Sequence, residues 1–191
     1  DIARLNMQNK DKVSDCLDKM KLSMQHLQML VNDVLDMSKI ESGKLVLTSE
    51  SFSLTELIQR NIAIVNPQYQ AKNQVFVTET KDIRHEYLLG DSLRFNQVLL
   101  NLLSNAGKFT PENGTITLTV KELPQKHSGH AVYRIAVADT GIGISPEFLP
   151  KLFLPFERER SRHQNQAEGT GLGLVISKNI IAAMGGQIYV E

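Results

Sequence analysis

Residues 91–110 constrain the fold most, because they carry an apolar stripe and a polar file at the same helical spacing. A helix over this stretch has Asp91 as a suitable N-cap and Thr110-Pro111 as a suitable stop. Its apolar stripe consists of Leu99, Leu102, Leu103 and Ala106. A helix with one apolar stripe buries that stripe against other elements, so we expect it at the core of a layered domain.

The polar file of the same helix consists of Asn101, Asn105 and Lys108, at positions i, i+4 and i+7. Mg²⁺ accepts hard oxygen ligands, and a lysine ammonium is a point charge for phosphate. The file therefore suits a hydrated Mg²⁺ beside a phosphate group. Taken alone, the file is more often the pattern of a solvated helix face.

A second periodic stretch runs from about residue 14 to residue 40. Its apolar positions alternate steps of three and four, as in a coiled-coil seam: Leu17, Met20, Met24, Leu27, Val31 and Val34. Residues 1–8 resemble the tail of an upstream helix, and 9–13 are polar and turn-like. The pattern favours a helical hairpin that a second copy of the chain completes as a four-helix bundle. The alternative is a single core helix of a globular domain.

The remaining pattern alternates short strands and helices with several hairpin connections. Gly43 breaks the seam helix, and Ser53-Leu-Thr-Glu56 is a capping box that opens a helix. Expected strands are 45–47, 75–78, 87–89, 115–121, 133–138 and 187–190, with helices from Ser145 and over 172–184. We expect an α+β fold, a two-layer α/β sandwich with a mixed, mostly antiparallel sheet packed on helices, preceded by a long helical hairpin segment. The expected domains are 1–43, part of the hairpin, and 44–191, the layered domain.

Composition narrows the class of protein. The 191 residues are 41% hydrophobic, and Lys+Arg and Asp+Glu balance at 21 each, so no basic field for nucleic acid is present. Cys16 is the single cysteine, which fits a reducing compartment. No apolar run reaches the roughly 18 residues of a membrane span. Because the chain starts without Met and stops just after its last expected strand, we expect a fragment, truncated at its C-terminus.

Two glycine-rich motifs follow the central helix. Asp139-Thr-Gly141-Ile-Gly143 stands at a strand end, where a carboxylate can accept from the exocyclic amine of a flat base. Gly169-Thr-Gly171-Leu-Gly173 opens a helix whose bare N–H groups suit an anion. A Rossmann motif is excluded because residues 157–168 form no strand, and Gly107-Lys108-Phe lacks the P-loop pattern. Each motif alone is weak, and an Asp-x-Gly-x-Gly is more often a turn.

Together and in this order, the motifs resemble the catalytic core of a bacterial sensor histidine kinase of a two-component system, whether or not of the hybrid type. Asn101-Leu-Leu-Ser-Asn105-Ala-Gly-Lys108 resembles the family's N box, and Asp139-Thr-Gly141-Ile-Gly143 its G1 box. Phe153-Leu-Pro-Phe156 resembles the F box, and Gly169-Thr-Gly171-Leu-Gly173 the G2 box. The end of the seam helix, up to Leu45, is similar to the family's second dimerisation helix.

The resemblance implies a role for each matching residue toward ATP and Mg²⁺. Asn105 coordinates Mg²⁺ and Asn101 lines the same site, while Lys108 meets a phosphate oxygen; Asn101 and Lys108 are the implied catalytic residues. Asp139 takes the adenine amine, with Gly141 and Gly143 against the purine. The implied phosphate-binding residues are Gly169, Thr170, Gly171, Leu172 and Gly173. Phe153 and Phe156 anchor a mobile lid over about 145–168. Lid arginines such as Arg158 or Arg160 either reach the γ-phosphate or form a solvated charge run.

One position separates a kinase from a hydrolase. Related hydrolases of this fold carry a glutamate base where Asn101 stands, and an amide cannot take a proton from water at neutral pH. The resemblance therefore implies attack by an external nucleophile, which in the family is a histidine followed by an acidic residue. None of the histidines has that context, so we expect the acceptor to lie outside this chain. The pair His127 and His130 makes a poor zinc site.

The resemblance also implies a homodimer through the hairpin, a response-regulator receiver domain as partner and no nucleic acid. It implies a cytoplasmic domain whose parent sensor reaches the membrane only through parts missing here. Two rival functions remain. One is a serine/threonine kinase of the same fold that acts on a separate protein. The other is a dimerising module with an inactive nucleotide pocket.

Overall fold

The computed structural model describes residues 8–124, 129–159 and 169–191, apart from the side chains of residues 25 and 26. The helices are α1 (Lys10–Glu41), α2 (Leu54–Ala71), α3 (Ser92–Phe109) and α4 (Gly173–Ala183), with a 3₁₀ turn at Leu149–Lys151. The strands are β1 (Glu50–Ser53), β2 (Val75–Lys81), β3 (Tyr87–Gly90), β4 (Thr115–Leu123) and β5 (Val132–Asp139).

Helix α1 is the expected seam helix, and it begins earlier than its apolar pattern predicts. The Asn9 side chain accepts from the Lys12 backbone N–H at 3.1 Å, so the predicted turn over 9–13 is wrong: it is an N-cap and a first helical turn. The helix ends before Gly43, whose φ is +65°. Residues 1–7, where the other arm of the expected hairpin falls, lie outside the described residues.

The strands form two small sheets, which confirms the α+β class with mixed, mostly antiparallel pairing. β1 pairs antiparallel with β3. The second sheet has the order β2-β4-β5, with β2 parallel and β5 antiparallel to the central strand. The capping box is also confirmed, because Ser53 accepts from the Glu56 N–H at 3.1 Å.

The main core lies between the three-stranded sheet and helices α2 and α3. Every second residue of β4 is buried, as the period of a half-buried strand requires. On the helix side, Tyr69 and Leu103 are fully buried, and the Tyr69 hydroxyl donates to the Leu103 carbonyl at 2.8 Å. This contact holds the face of α3 that carries the apolar stripe against α2.

A second apolar cluster joins α1, α3 and α4. Its buried members are Val98, Leu172, Ile176 and Ile180, with Met37, Ile40 and Leu45 packed against them. The cluster brings α4 and the C-terminal part of α1 against α3. The site described below lies between α3 and the loop that enters α4.

Three local expectations are wrong. Residues 45–47 form no strand, because Leu45 packs into the second cluster and strand β1 begins only at Glu50. Residues 187–190 form no strand. The helix expected from Ser145 is a turn followed by the 3₁₀ turn four residues on. Gly107, inside α3, makes room for the core tyrosine, because a Cβ there would lie 2.4 Å from Tyr69 Cε1.

Candidate active site

The polar file of α3 is oriented by hydrogen bonds along its own length and to α4. Asn105 Nδ2 donates to Asn101 Oδ1 at 3.4 Å, and Asn101 Nδ2 donates to Ser177 Oγ at 2.9 Å. Because each amide has one donor end and one acceptor end, these bonds leave Asn105 Oδ1 as the acceptor of the pair. A carbonyl oxygen of this kind is a ligand that Mg²⁺ takes.

Both ends of the polar file contact the glycine loop of residues 169–173. A Cβ on Gly173 would lie 2.4 Å from Asn101 Oδ1, so the loop approaches α3 as closely as only glycine permits. At the other end, Lys108 Nζ lies 3.3 Å from the place where a Cβ on Gly169 would stand. Two motifs separated by 60 residues of sequence are thus brought together along one helix face.

The loop after β5 is held against the C-terminal end of α3. Asp139 is the last residue of β5, and its Oδ1 accepts from the Gly141 N–H at 2.8 Å. The Ile142 N–H donates to the Phe109 carbonyl at 3.4 Å, and a Cβ on Gly141 would lie 2.7 Å from that oxygen. The exposed Asp139 carboxylate retains acceptor capacity for a ligand. Apart from its two chain neighbours, no described residue lies within 4 Å of a Cβ position on Gly143.

The glycine loop is also held by its own residues. The Leu172 side chain is buried in the second apolar cluster, and its N–H donates to Thr170 Oγ1 at 3.0 Å. Gly171 has φ +72°, and a Cβ there would meet the Phe156 backbone at 3.0 Å. The loop N–H groups precede α4, at the end of a helix that favours anions.

The two phenylalanines of the expected lid behave differently. Phe153 is half-buried, and Lys178 Nζ lies 5.0 Å from its ring centroid. The Phe156 side chain is 68% exposed, and this residue is held through its N–H, which donates to the Gly171 carbonyl at 3.2 Å. Phe156 is therefore held to the glycine loop through its backbone, and the lid itself stays a prediction. Arg158 is exposed, and Arg160 lies outside the described residues.

The donor set fits a magnesium ion that is shared with a ligand. The described residues contain no group of three or more His, Cys, Asp or Glu side chains that could hold a metal ion. Mg²⁺ often takes only one or two protein oxygens together with phosphates and water. One oriented amide oxygen beside a loop that favours anions meets that requirement.

Ser177 is the site residue that the sequence did not reveal. It is 2% exposed and is the hydrogen-bond acceptor for the Asn101 amide. The available signal was its position four residues after Gly173, which places both on one face of α4.

Comparison with known proteins identifies the class that this fold and site define. Residues 90–191 match the family described as histidine kinase-, DNA gyrase B-, and HSP90-like ATPase. The sensor protein GacS of Pseudomonas syringae pv. syringae is 43% identical over 177 residues, which are 93% of this chain and 19% of GacS. The chain thus spans about a fifth of that relative's length.

Similar solved structures show which members of this ATPase family the chain resembles. The nucleotide-free catalytic domain of the histidine kinase ThkA is 32% identical, with a TM-score of 0.61 over 75% of this chain and 88% of that one. Full-length ShkA in complex with AMPPNP is 30% identical, with a TM-score of 0.71 over 96% of this chain and 37% of that one. ThkA in complex with the response regulator TrrA is 28% identical, with a TM-score of 0.64 over 93% of this chain and 46% of that one. The chain belongs to the histidine kinases and carries their ATP-binding catalytic domain.

No helix in the described part of the chain combines the length and the apolar character needed to cross a membrane.

Proposed function

We propose that this chain is the part of a sensor histidine kinase that binds Mg-ATP and transfers its γ-phosphoryl group to a histidine on the dimerisation helix, for relay to a response-regulator aspartate. The observation that carries the proposal is the contact of the α3 polar file with both ends of the 169–173 loop. That contact places two amides and an ammonium beside a loop suited to phosphates.

Each side chain has one task in this proposal. Asp139 accepts from the adenine amine, while Gly141 and Gly143 leave room for the purine. Lys108 and the N–H groups of residues 169–173 bind phosphate oxygens. Asn105 Oδ1 would hold Mg²⁺, with Asn101 beside it, and a metal bound there would supply positive charge against the transferred phosphoryl group.

The proposal includes no general base that could activate a water molecule for ATP hydrolysis. The Asn101 amide is held by Ser177 and Asn105 and cannot accept a proton at neutral pH. Attack therefore comes from an external nucleophile aligned with the scissile bond. In the proposal this nucleophile is a histidine that the chain does not contain in the family's sequence context.

The partners and the location belong to the same proposal. Residues 1–43 are part of a dimerisation hairpin, and residues 44–191 are the catalytic domain, cytoplasmic in a membrane-bound parent. The complex of the similar kinase ThkA with TrrA supports a receiver domain as partner.

A phosphotransfer assay tests the function. The chain is incubated with Mg²⁺ and γ-labelled ATP, alone and with an added helix that carries a histidine followed by an acidic residue. We expect acid-labile label on the added helix only, and none with Asn105→Ala. Acid-stable label would support the serine/threonine kinase. Acid-labile label on His26 would place the acceptor within this chain. Nucleotide binding without any transfer would support the inactive module.

A further inference from the structure

One side-chain hydrogen bond ties the 169–173 loop to α1. Thr170 Oγ1 donates to Asp33 Oδ2 at 2.9 Å and accepts from the Leu172 N–H at 3.0 Å. An ionised carboxylate only accepts, so the single hydroxyl proton points to Asp33. In this arrangement the hydroxyl has no proton to offer a phosphate oxygen.

The surroundings of Asp33 disfavour the charged form of its carboxyl group. Burial raises the pKa of the Asp33 carboxyl, the Thr170 hydroxyl lowers it and the neighbouring Asp36 raises it again, with a net increase. The Arg94 guanidinium nearby is engaged at 2.7 Å with Asp36. The charged form of Asp33 is thus partly desolvated and repelled by a like charge.

Charges of opposite sign stand near the loop. Lys108 Nζ approaches it at Gly169, and the Asp33 carboxylate holds it at Thr170. Phosphate groups entering this loop are attracted by the ammonium and repelled by the carboxylate.

We propose that Asp33 is a positioning residue that holds α1 on the 169–173 loop, and that polyphosphate entering the loop displaces it. This inference rests on the proposed ATP-binding function. Displacement frees the Thr170 hydroxyl to donate to the ligand and removes the hydrogen bond between Asp33 of α1 and the loop.

The next turn of α1 determines how far the release extends. Asp36 accepts from Arg94 at 2.7 Å and from Gln97 at 2.8 Å, and Met37 and Ile40 lie in the second apolar cluster. None of these contacts involves the Thr170 hydroxyl: the Asp36 bonds go to α3, and Met37 and Ile40 pack in the cluster that contains Leu172, so α1 stays attached from Asp36 onward. Loss of the Asp33 contact frees the preceding part of the helix, which carries the apolar seam.

Calorimetric titration of the 191-residue chain tests the inference. Asp33→Asn removes the charge but keeps an acceptor, Asp33→Ala removes both, and Asp18→Asn is the matched control on an exposed part of α1. With Mg-AMPPNP we expect both Asp33 variants to bind about fivefold tighter than wild type. Adenosine, which lacks phosphates, should bind all four proteins alike, and the control should match wild type.

Unchanged or weaker Mg-AMPPNP binding by the Asp33 variants, with normal binding by wild type, would overturn the inference and leave the proposed function standing. Failure of wild type to bind Mg-AMPPNP would remove both. Amide hydrogen exchange gives a second readout: nucleotide should accelerate exchange in α1 before Asp36 in wild type but not in Asp33→Asn. Slower exchange there would contradict the proposed release.

Discussion

Asp139 combines an exposed carboxylate with a fixed position, since one of its oxygens is bound by the Gly141 N–H. A charge-assisted hydrogen bond to an adenine amine contributes about 1.5–3 kcal/mol. Asp139→Ala should therefore weaken ATP binding by roughly one to two orders of magnitude. Calorimetry measures this loss, and Glu112→Ala, at an exposed carboxylate in the turn between α3 and β4, is the control. Unchanged affinity would exclude Asp139 from base recognition.

Ser177 holds an amide that the kinase proposal requires in one orientation. Ser177→Ala leaves the Asn101 Nδ2 group without its partner, at a cost of about 1–3 kcal/mol in unfolding free energy. Because Asn105 is in turn oriented by Asn101, the Mg²⁺ concentration for half-maximal phosphotransfer should rise, while adenosine affinity stays constant. Ser104→Ala, on the exposed side of α3, is the control. Loss of stability with an unchanged Mg²⁺ requirement would assign Ser177 a structural role only.

At the scale of elements, α1 is joined to the start of α3 by an ion pair. The Arg94 and Asp36 side chains are 17% and 11% exposed and 2.7 Å apart. Arg94→Ala leaves a poorly solvated carboxylate and should reduce the unfolding free energy by about 2 kcal/mol. Asp36→Asn, which keeps an acceptor, should cost less. Urea denaturation of both variants measures the difference, and the reverse order would contradict this account.

A second link ties the β2–β3 connection to the β4–β5 hairpin through Glu122. Its carboxylate accepts from the Arg84 N–H at 2.6 Å and from the His85 N–H at 2.9 Å, and it lies 2.6 Å from His85 Nδ1. The pKa of Glu122 is lowered to about 2, mainly by the hydrogen bond from the Arg84 N–H. Burial opposes this shift, and the interactions with His85 add to it.

The pH dependence of stability follows from this shift. A carboxylate whose pKa is lowered on folding stabilises the protein above its unfolded pKa, and that contribution is lost as pH falls through the folded pKa. As pH falls from about 5 to about 2, the wild type should lose the stabilising contribution of the ionised Glu122. Glu122→Gln never has this contribution and should show no such loss. Chemical denaturation at several pH values measures this, with Glu112→Gln as control. Parallel pH profiles for wild type and Glu122→Gln would contradict it.

At the scale of the whole molecule, α1 presents an apolar seam that the described part of the chain does not cover. Leu17, Met20, Met24, Leu27, Val31 and Val34 are 50–69% exposed. A seam of this length is typical of helices that pair. Leu27→Glu should shift the chain from dimer to monomer in light scattering, whereas Lys21→Glu, off the seam, should not. A monomeric wild type at high concentration would contradict the proposed hairpin dimer.

The sequence predicted what depends on local spacing and missed what depends on tertiary contact. The cap at Asp91, the stripe through Leu103 and the strand ending at Asp139 follow from periodicity and local hydrogen bonding. The Thr170–Asp33 and Asn101–Ser177 bonds join residues far apart in sequence, and neither has a local signature. Residues 45–47 were mistaken for a strand because a short apolar run does not reveal whether it pairs or packs.

The central claim is that the Asn105 amide, Asp139 and the two glycine loops enclose one magnesium nucleotide. A crystal structure of the chain with Mg-AMPPNP tests it directly. The account predicts the adenine amine within hydrogen-bond distance of Asp139 and the metal on Asn105 Oδ1. A cleft that stays empty, or a nucleotide bound elsewhere on the protein, would contradict it.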